Sequence, residues 1–78
     1  MITIIPREKI IIRIKDLELM VGLKRSAIYT RINPKSDHFD PEFPRPVPLG
    51  GKAVGWILVE VEAYISMLCA KRDQAISQ

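Results

Sequence analysis

Five of the six prolines in this 78-residue chain fall between Pro34 and Pro48, in the segment NPKSDHFDPEFPRPVP. Proline fixes φ, lacks an amide donor and pushes its predecessor out of the helical region. No helix therefore runs past Asn33, and no interior strand fits before Leu49. The segment is expected to be a long surface loop with Phe39 and Phe43 pinned to the core. Regular structure is thereby confined to two blocks, one on either side.

In the first block, DLELMVGLKRSAIYTRI (residues 16–32) carries helical spacing broken once, at Val21-Gly22-Leu23. Leu17, Met20 and Val21 recur at i, i+3 and i+4, which predicts one apolar stripe with Asp16, Glu18 and Leu19 turned elsewhere. Gly22 supplies the permissive backbone with which helices end, and Leu23 the apolar contact that follows. A second helix is expected from about Lys24 to Ile32. Ala27, Ile28 and Ile32 then face the first helix, while Arg25, Ser26, Tyr29 and Thr30 form a different, outward stripe at about 100° per residue. An anchoring helix, a glycine turn and a free second helix make a helix-turn-helix.

Before these helices, residues 2–5 (ITII) and 10–14 (IIIRI) are β-branched runs separated by Pro6 and a charged triplet. Each can be a short strand; residues 1–6 can equally be an arm. The second run is expected to pair with another strand or with a partner chain, because so many bare isoleucines would be costly.

In the second block, Pro46-Val47-Pro48-Leu49, Gly50-Gly51 and Lys52-Ala53-Val54-Gly55-Trp56 predict a β-hairpin turning on the two glycines, with the prolines confining its first strand to an edge. Trp56 is expected to anchor the hairpin to the core. A last helix is predicted to begin near Val59 or Glu60, with Val61, Tyr64, Ile65 and Leu68 inward, acidic residues in its first turn and Lys71 and Arg72 in its last. Beyond Asp73 the tail is expected to fray. The fold class is thus mainly α with a small β-hairpin, a winged helix-turn-helix. The expected organisation is an N-terminal arm or strand (1–9), one domain (10–73) and a tail (74–78).

Composition narrows the function. A chain this short buries only about 60% of its unfolded surface, so partners contribute much to its stability. With Cys69 the single cysteine and His38 the single histidine, no disulfide or thiolate cluster can form within the chain, and no nucleophile-base pair suggests itself. No catalytic residue, metal or cofactor is expected, and His38 reads as a solvated loop residue. Cys69 reads as a small apolar residue of the last helix. No apolar run reaches the roughly 18 residues of a membrane span, and the apolar-then-basic N-terminus reverses the order of a signal peptide. A cytoplasmic, nucleoid-associated bacterial protein is expected. Residues 1–33 hold seven basic side chains against three acidic, whereas residues 34–78 hold five against six. A basic half containing an outward helix suits phosphate binding.

IKDLELMVGLKRSAIYTRI followed by FPRPVPLGGKAVGWILVEVEAYI resembles the AlpA family of small phage and prophage regulators, relatives of the excisionases and of MerR-type winged helix domains. The resemblance covers about residues 13–70, and the joint occurrence of VGLKRSAIY with FPRPVPLGGKAVGW is its specific part. It implies a non-enzymatic, sequence-specific binder of double-stranded DNA, acting as a transcriptional regulator in mobile elements. An alternative is an excisionase-type accessory factor that bends DNA for an integrase; one from another class is a protein-interaction module without DNA binding. The expected contacts are Lys24, Arg25, Ser26, Tyr29, Thr30 and Arg31 on the recognition helix, and Arg45, Gly50, Gly51 and Lys52 at the wing. A homodimer or cooperative multimer on DNA is expected, with an integrase or RNA polymerase as further candidate partners.

The chain departs from the family's pattern at three places. Lys24 stands where the family commonly has a capping serine. Arg31 lies one residue beyond the family's usual arginine, which turns it by about 100° and is expected to carry it off the outward stripe. Ile57-Leu58-Val59 replaces a polar, serine-capped helix entry and would either enlarge the core or leave an adhesive surface.

Overall fold

The computed structural model describes residues 4–76. The elements run in the order β1 (Ile11–Ile12), α1 (Ile14–Val21), α2 (Arg25–Ile32), β2 (Val47–Gly50), β3 (Ala53–Ile57) and α3 (Leu58–Ile76), with one 3-10 turn at Arg7–Lys9 ahead of them. The strands form an antiparallel sheet in the order β1-β3-β2. The fold is mainly α with a small sheet, as the sequence predicts.

β1, the three helices and β3 contribute to one core. Leu17 from α1, Ile28 from α2, Trp56 from β3 and Val61 from α3 are fully buried, joined by Ile12, Phe43 and Tyr64. Burial of each such side chain stabilises the fold by about 1.5–3 kcal/mol. Met20, Val21, Leu23, Ile32, Ile65 and Leu58 pack around them. The stripe expected of α1 is thus the buried one, and Leu19, turned away from it, is 84% exposed. On α3, Val61, Tyr64 and Ile65 face inward as predicted; Leu68 is instead exposed, and Met67 packs in its place.

The isoleucine run 10–14 makes a strand of two residues, Ile11 opposite Ile57 and Ile12 opposite Trp56. It therefore pairs within the chain, on β3. The strand considered for residues 2–5 lies partly outside the described residues; Ile4 and Ile5 are exposed and without regular structure. In the preceding turn Arg7 forms an ion pair with Glu62 of α3, which ties the N-terminal segment to the last helix and raises the guanidinium's pKa above its ordinary value.

α3 begins at Leu58, directly after β3, one or two residues before the expected start at Val59 or Glu60. Its first amide donates to the carbonyl of Ile10 at 2.9 Å, which ties the start of the helix to the segment before β1. Ile57, Leu58 and Val59 are half-buried, and Leu58 packs on the core; the apolar junction enlarges the core. At the far end the helix continues past Asp73 to Ile76, so Lys71 and Arg72 precede the last turn. Cys69 lies on α3 with its thiol exposed.

Residues 33–46 form no helix or strand, yet the loop is ordered by its own short-range bonds. Asn33 Oδ1 accepts the amide of Lys35, Ser36 Oγ that of His38, and Asp40 Oδ1 that of Glu42, at 2.9–3.1 Å. These are the local turns that such side chains favour. Phe43 is buried against Tyr64, edge-on at 4.9 Å between ring centroids, and Phe39 is half-buried. Asp40 is the loop's hub. Its amide donates to Arg31 O at 2.9 Å and its Oδ2 accepts the Tyr64 hydroxyl at 2.7 Å. Burial first, and then the neighbouring Asp40 carboxylate, push the Tyr64 phenol up to about 12.

Candidate nucleic-acid interface

The break between the helices has the geometry its sequence demands. Gly22 closes α1 in the left-handed region, φ 71°, and its amide donates to Glu18 O at 2.9 Å. A side chain at this φ would be strained. α2 starts at Arg25 with Lys24 in the cap position, and Lys24 makes no capping bond. One of the free first-turn amides is satisfied from the preceding helix, where Glu18 Oε1 takes the Arg25 amide at 3.0 Å. A carboxylate beside a helix N-terminus also complements the dipole.

The outward stripe of α2 is where the spacing puts it. Arg25, Ser26 and Tyr29 are exposed, Ile28 is fully buried, and Thr30 is half-buried with its hydroxyl donating to Ala27 O at 2.8 Å. Arg25 and Tyr29 form a pair in which the guanidinium carbon lies 5.7 Å from the ring centroid. Tyr29 in turn meets Trp56 of β3 edge-on at 6.5 Å. The tyrosine is thus wedged between helix and wing, with 37% of its surface open. The indole N–H of Trp56 is buried and finds no acceptor among the described residues, consistent with a position chosen for packing.

Arg31 is half-buried and off the outward stripe at its Cα, but its side chain folds back along the helix. Nη1 donates to Ala27 O at 3.0 Å, which carries the guanidinium towards Ser26 and Thr30. Lys24 is exposed at the helix entrance.

The wing differs in one detail from the expected hairpin. Gly50 still pairs with Ala53, so the turn residues are Gly51 and Lys52 rather than the two glycines. The register shifts between Pro48 and Gly50 because Leu49 is an extra residue on β2. Both glycines nevertheless have positive φ, 109° and 56°, as a bulge followed by a tight turn requires. Lys52 consequently stands in the tip itself. Arg45, at the approach to β2, is exposed. Arg13, which sequence reasoning passed over, donates from Nε to Val54 O at 3.0 Å and so joins the entrance of α1 to the wing. Only its basic character could have marked it, since the bond depends on β3 lying alongside.

Two helices joined at a left-handed glycine, with the second braced against a glycine-tipped hairpin, define a winged helix-turn-helix domain. The chain belongs to the AlpA family: the model of the family described as Prophage CP4-57 regulatory protein (AlpA) matches residues 10–69. It is similar to the DNA-binding transcriptional activator AlpA of Escherichia coli (strain K12), with 39% identity over 59 residues, covering 76% of this chain and 84% of that protein. No solved structure matches the chain. Among the described residues, no helix is long and apolar enough to cross a membrane.

Proposed function

We propose that this protein is a sequence-specific DNA-binding transcriptional regulator of prophage origin, with α2 in the major groove and the β2-β3 wing on the sugar-phosphate backbone. The observation that carries the reading is the chain of contacts Arg25, Tyr29, Trp56. It holds an arginine on the open face of α2 and joins that helix to the wing, so that helix and wing meet a duplex as one body. Arginine on such a face can donate two hydrogen bonds to guanine, worth about 1–3 kcal/mol of discrimination.

In this reading Arg25 reads a base, and Ser26 and Thr30 line the same groove. Lys24, Arg31, Arg45 and Lys52 meet phosphates, as does the backbone at Gly50 and Gly51. Tyr29 orients Arg25 and offers its hydroxyl to the backbone. The protein acts without catalysis, in the bacterial cytoplasm, as a single domain over residues 10–73. One module of this size offers few contacts, so tight specific binding requires two or more copies on the DNA. Contact with RNA polymerase, or with an integrase in an excision complex, would then follow from where those copies sit.

Selection of bound duplexes from a random library, followed by affinity measurements across a salt series, tests this reading. A recovered motif is expected, with log Kd rising against log salt at a slope of roughly 3–4 for four phosphate contacts. An absent motif together with a flat salt response would overturn the reading in favour of a protein-interaction module.

A further inference from the structure

The loop after α2 lays His38 against that helix. Ser26, Ala27, Thr30 and Arg31 on α2 and His38 on the loop line one shallow notch of about 290 Å³. His38 is exposed, but its backbone is held on both sides. Its amide donates to Ser36 Oγ at 3.1 Å, Phe39 N donates to Ser36 O at 3.1 Å, and Asp40 N donates to Arg31 O at 2.9 Å. The loop is therefore pre-ordered beside the helix, and little entropy remains to be lost when His38 meets a ligand.

The polar groups in the notch differ in what they have left to give. Thr30 has committed its hydroxyl proton to Ala27 O, and Arg31 has committed one Nη1–H to the same carbonyl. Arg31 keeps its remaining N–H donors, and the exposed Ser26 hydroxyl and the His38 imidazole can also donate. A guanidinium, a hydroxyl and an imidazole around an open depression form a donor set suited to a phosphodiester. The charged groups about His38 are Arg31 from α2, Lys35 and Asp37 within its own loop, and Asp40, whose Oδ2 is already occupied by the Tyr64 hydroxyl.

We infer that this notch takes a backbone phosphate of the duplex lying along α2, making His38 a DNA contact additional to those of the helix and the wing. The inference rests on the DNA-binding reading above. It also gives the protein a proton-linked affinity, because a bound phosphate favours the charged imidazolium over the neutral imidazole. His38 is the only histidine in the sequence, which makes this response attributable.

The test uses the full chain, wild type and His38→Gln, titrated by fluorescence anisotropy against one selected duplex at pH 8 and pH 5.5. Wild type is expected to bind about 3- to 10-fold more tightly at the lower pH, with a salt slope larger by about one; His38→Gln loses both gains. A series of duplexes carrying one neutral methylphosphonate each should contain a position that weakens wild type at pH 5.5 by more than it weakens His38→Gln, in which Arg31 and Ser26 still face that phosphate. Wild type that binds DNA with no gain at low pH, or a His38→Gln variant that keeps the gain, overturns the inference while leaving the DNA-binding reading intact. Failure of wild type to bind any duplex overturns both.

Discussion

Glu18 of α1 accepts the backbone amide of Arg25, the first residue of α2, at 3.0 Å. The cap that α2 lacks in its own sequence is thus supplied from seven residues back, across the turn. The same bond ties the entrance of the second helix to the first.

Replacing Glu18 by Ala is expected to destabilise the protein by about 1 kcal/mol, the usual worth of a cap, which lowers Tm by about 4–8 °C in a domain of this size. Lys24→Ser adds a local acceptor for the Ser26 or Ala27 amide, which Glu18 does not serve, and should stabilise the wild type and the Glu18→Ala background alike, by about 0.5–1 kcal/mol. Thermal unfolding of the four proteins as a double-mutant cycle measures the coupling. A gain from Lys24→Ser confined to the Glu18→Ala background would show instead that the two acceptors compete for one amide.

Arg25→Ala is expected to relax sequence preference, costing about 1–3 kcal/mol on the selected motif and little on unrelated DNA. Lys52→Ala at the wing tip should instead weaken binding to all sequences alike and reduce the salt slope by about one. Competition titrations with matched and scrambled duplexes separate the two patterns. Tyr29→Leu, which keeps an apolar contact with Trp56 but removes the cation-π partner of Arg25, should resemble a weakened Arg25→Ala.

Tyr64 couples the loop to α3 through Asp40. Its folded-state pKa of about 12 lies above the ordinary 10.0, so the stability it contributes is fully present below pH 10 and is lost as pH rises towards 12. Absorbance titration at 295 nm should show a tyrosinate component near the upper value that is absent from Tyr64→Phe. The variant should also be less stable at pH 7, by about 1–2 kcal/mol, because a partly buried acceptor loses its donor. A Tyr64 that titrates with its ordinary value would show the bond to be unmade in solution.

Gly55 on β3 is bare for want of space. A Cβ there would collide with the Ile11 side chain, lie 3.0 Å from the carbonyl oxygen of Ile12 and 3.2 Å from Leu49. Gly55→Ala is expected to cost about 1–3 kcal/mol by overpacking, read as a lowered denaturation midpoint. Ile11→Ala in the same chain should relieve part of that cost. If Gly55→Ala is neutral, β1 does not lie over this residue in solution.

The helices were legible because their evidence is repetitive: Leu17, Met20 and Val21 on one side, Ile28 and Ile32 on the other, and Gly22 between them. Pro46 and Pro48 marked an edge strand for a reason local to proline. What escaped notice depends on approach between elements. Nothing in the spacing of Glu18 and Arg25 announces that one caps the other, and the return of Arg31 to the Ala27 carbonyl is a rotamer choice that helical geometry alone leaves open. The hairpin turn was displaced by one residue because Leu49 bulges, an event that Gly50-Gly51 permits but does not dictate. His38 appeared solitary in the sequence since its neighbours in space, Ser26 and Arg31, belong to a helix that ends before the loop begins.

The sheet described above has β1 as one edge and β2 as the other. The first is two residues long, and the second contains Pro48, directly after a segment holding Pro46, with no amide proton at either position. Neither margin presents the continuous row of donors and acceptors on which a foreign strand can be laid. Among the described residues, neither edge of the sheet offers a second copy of the protein a backbone ladder to extend.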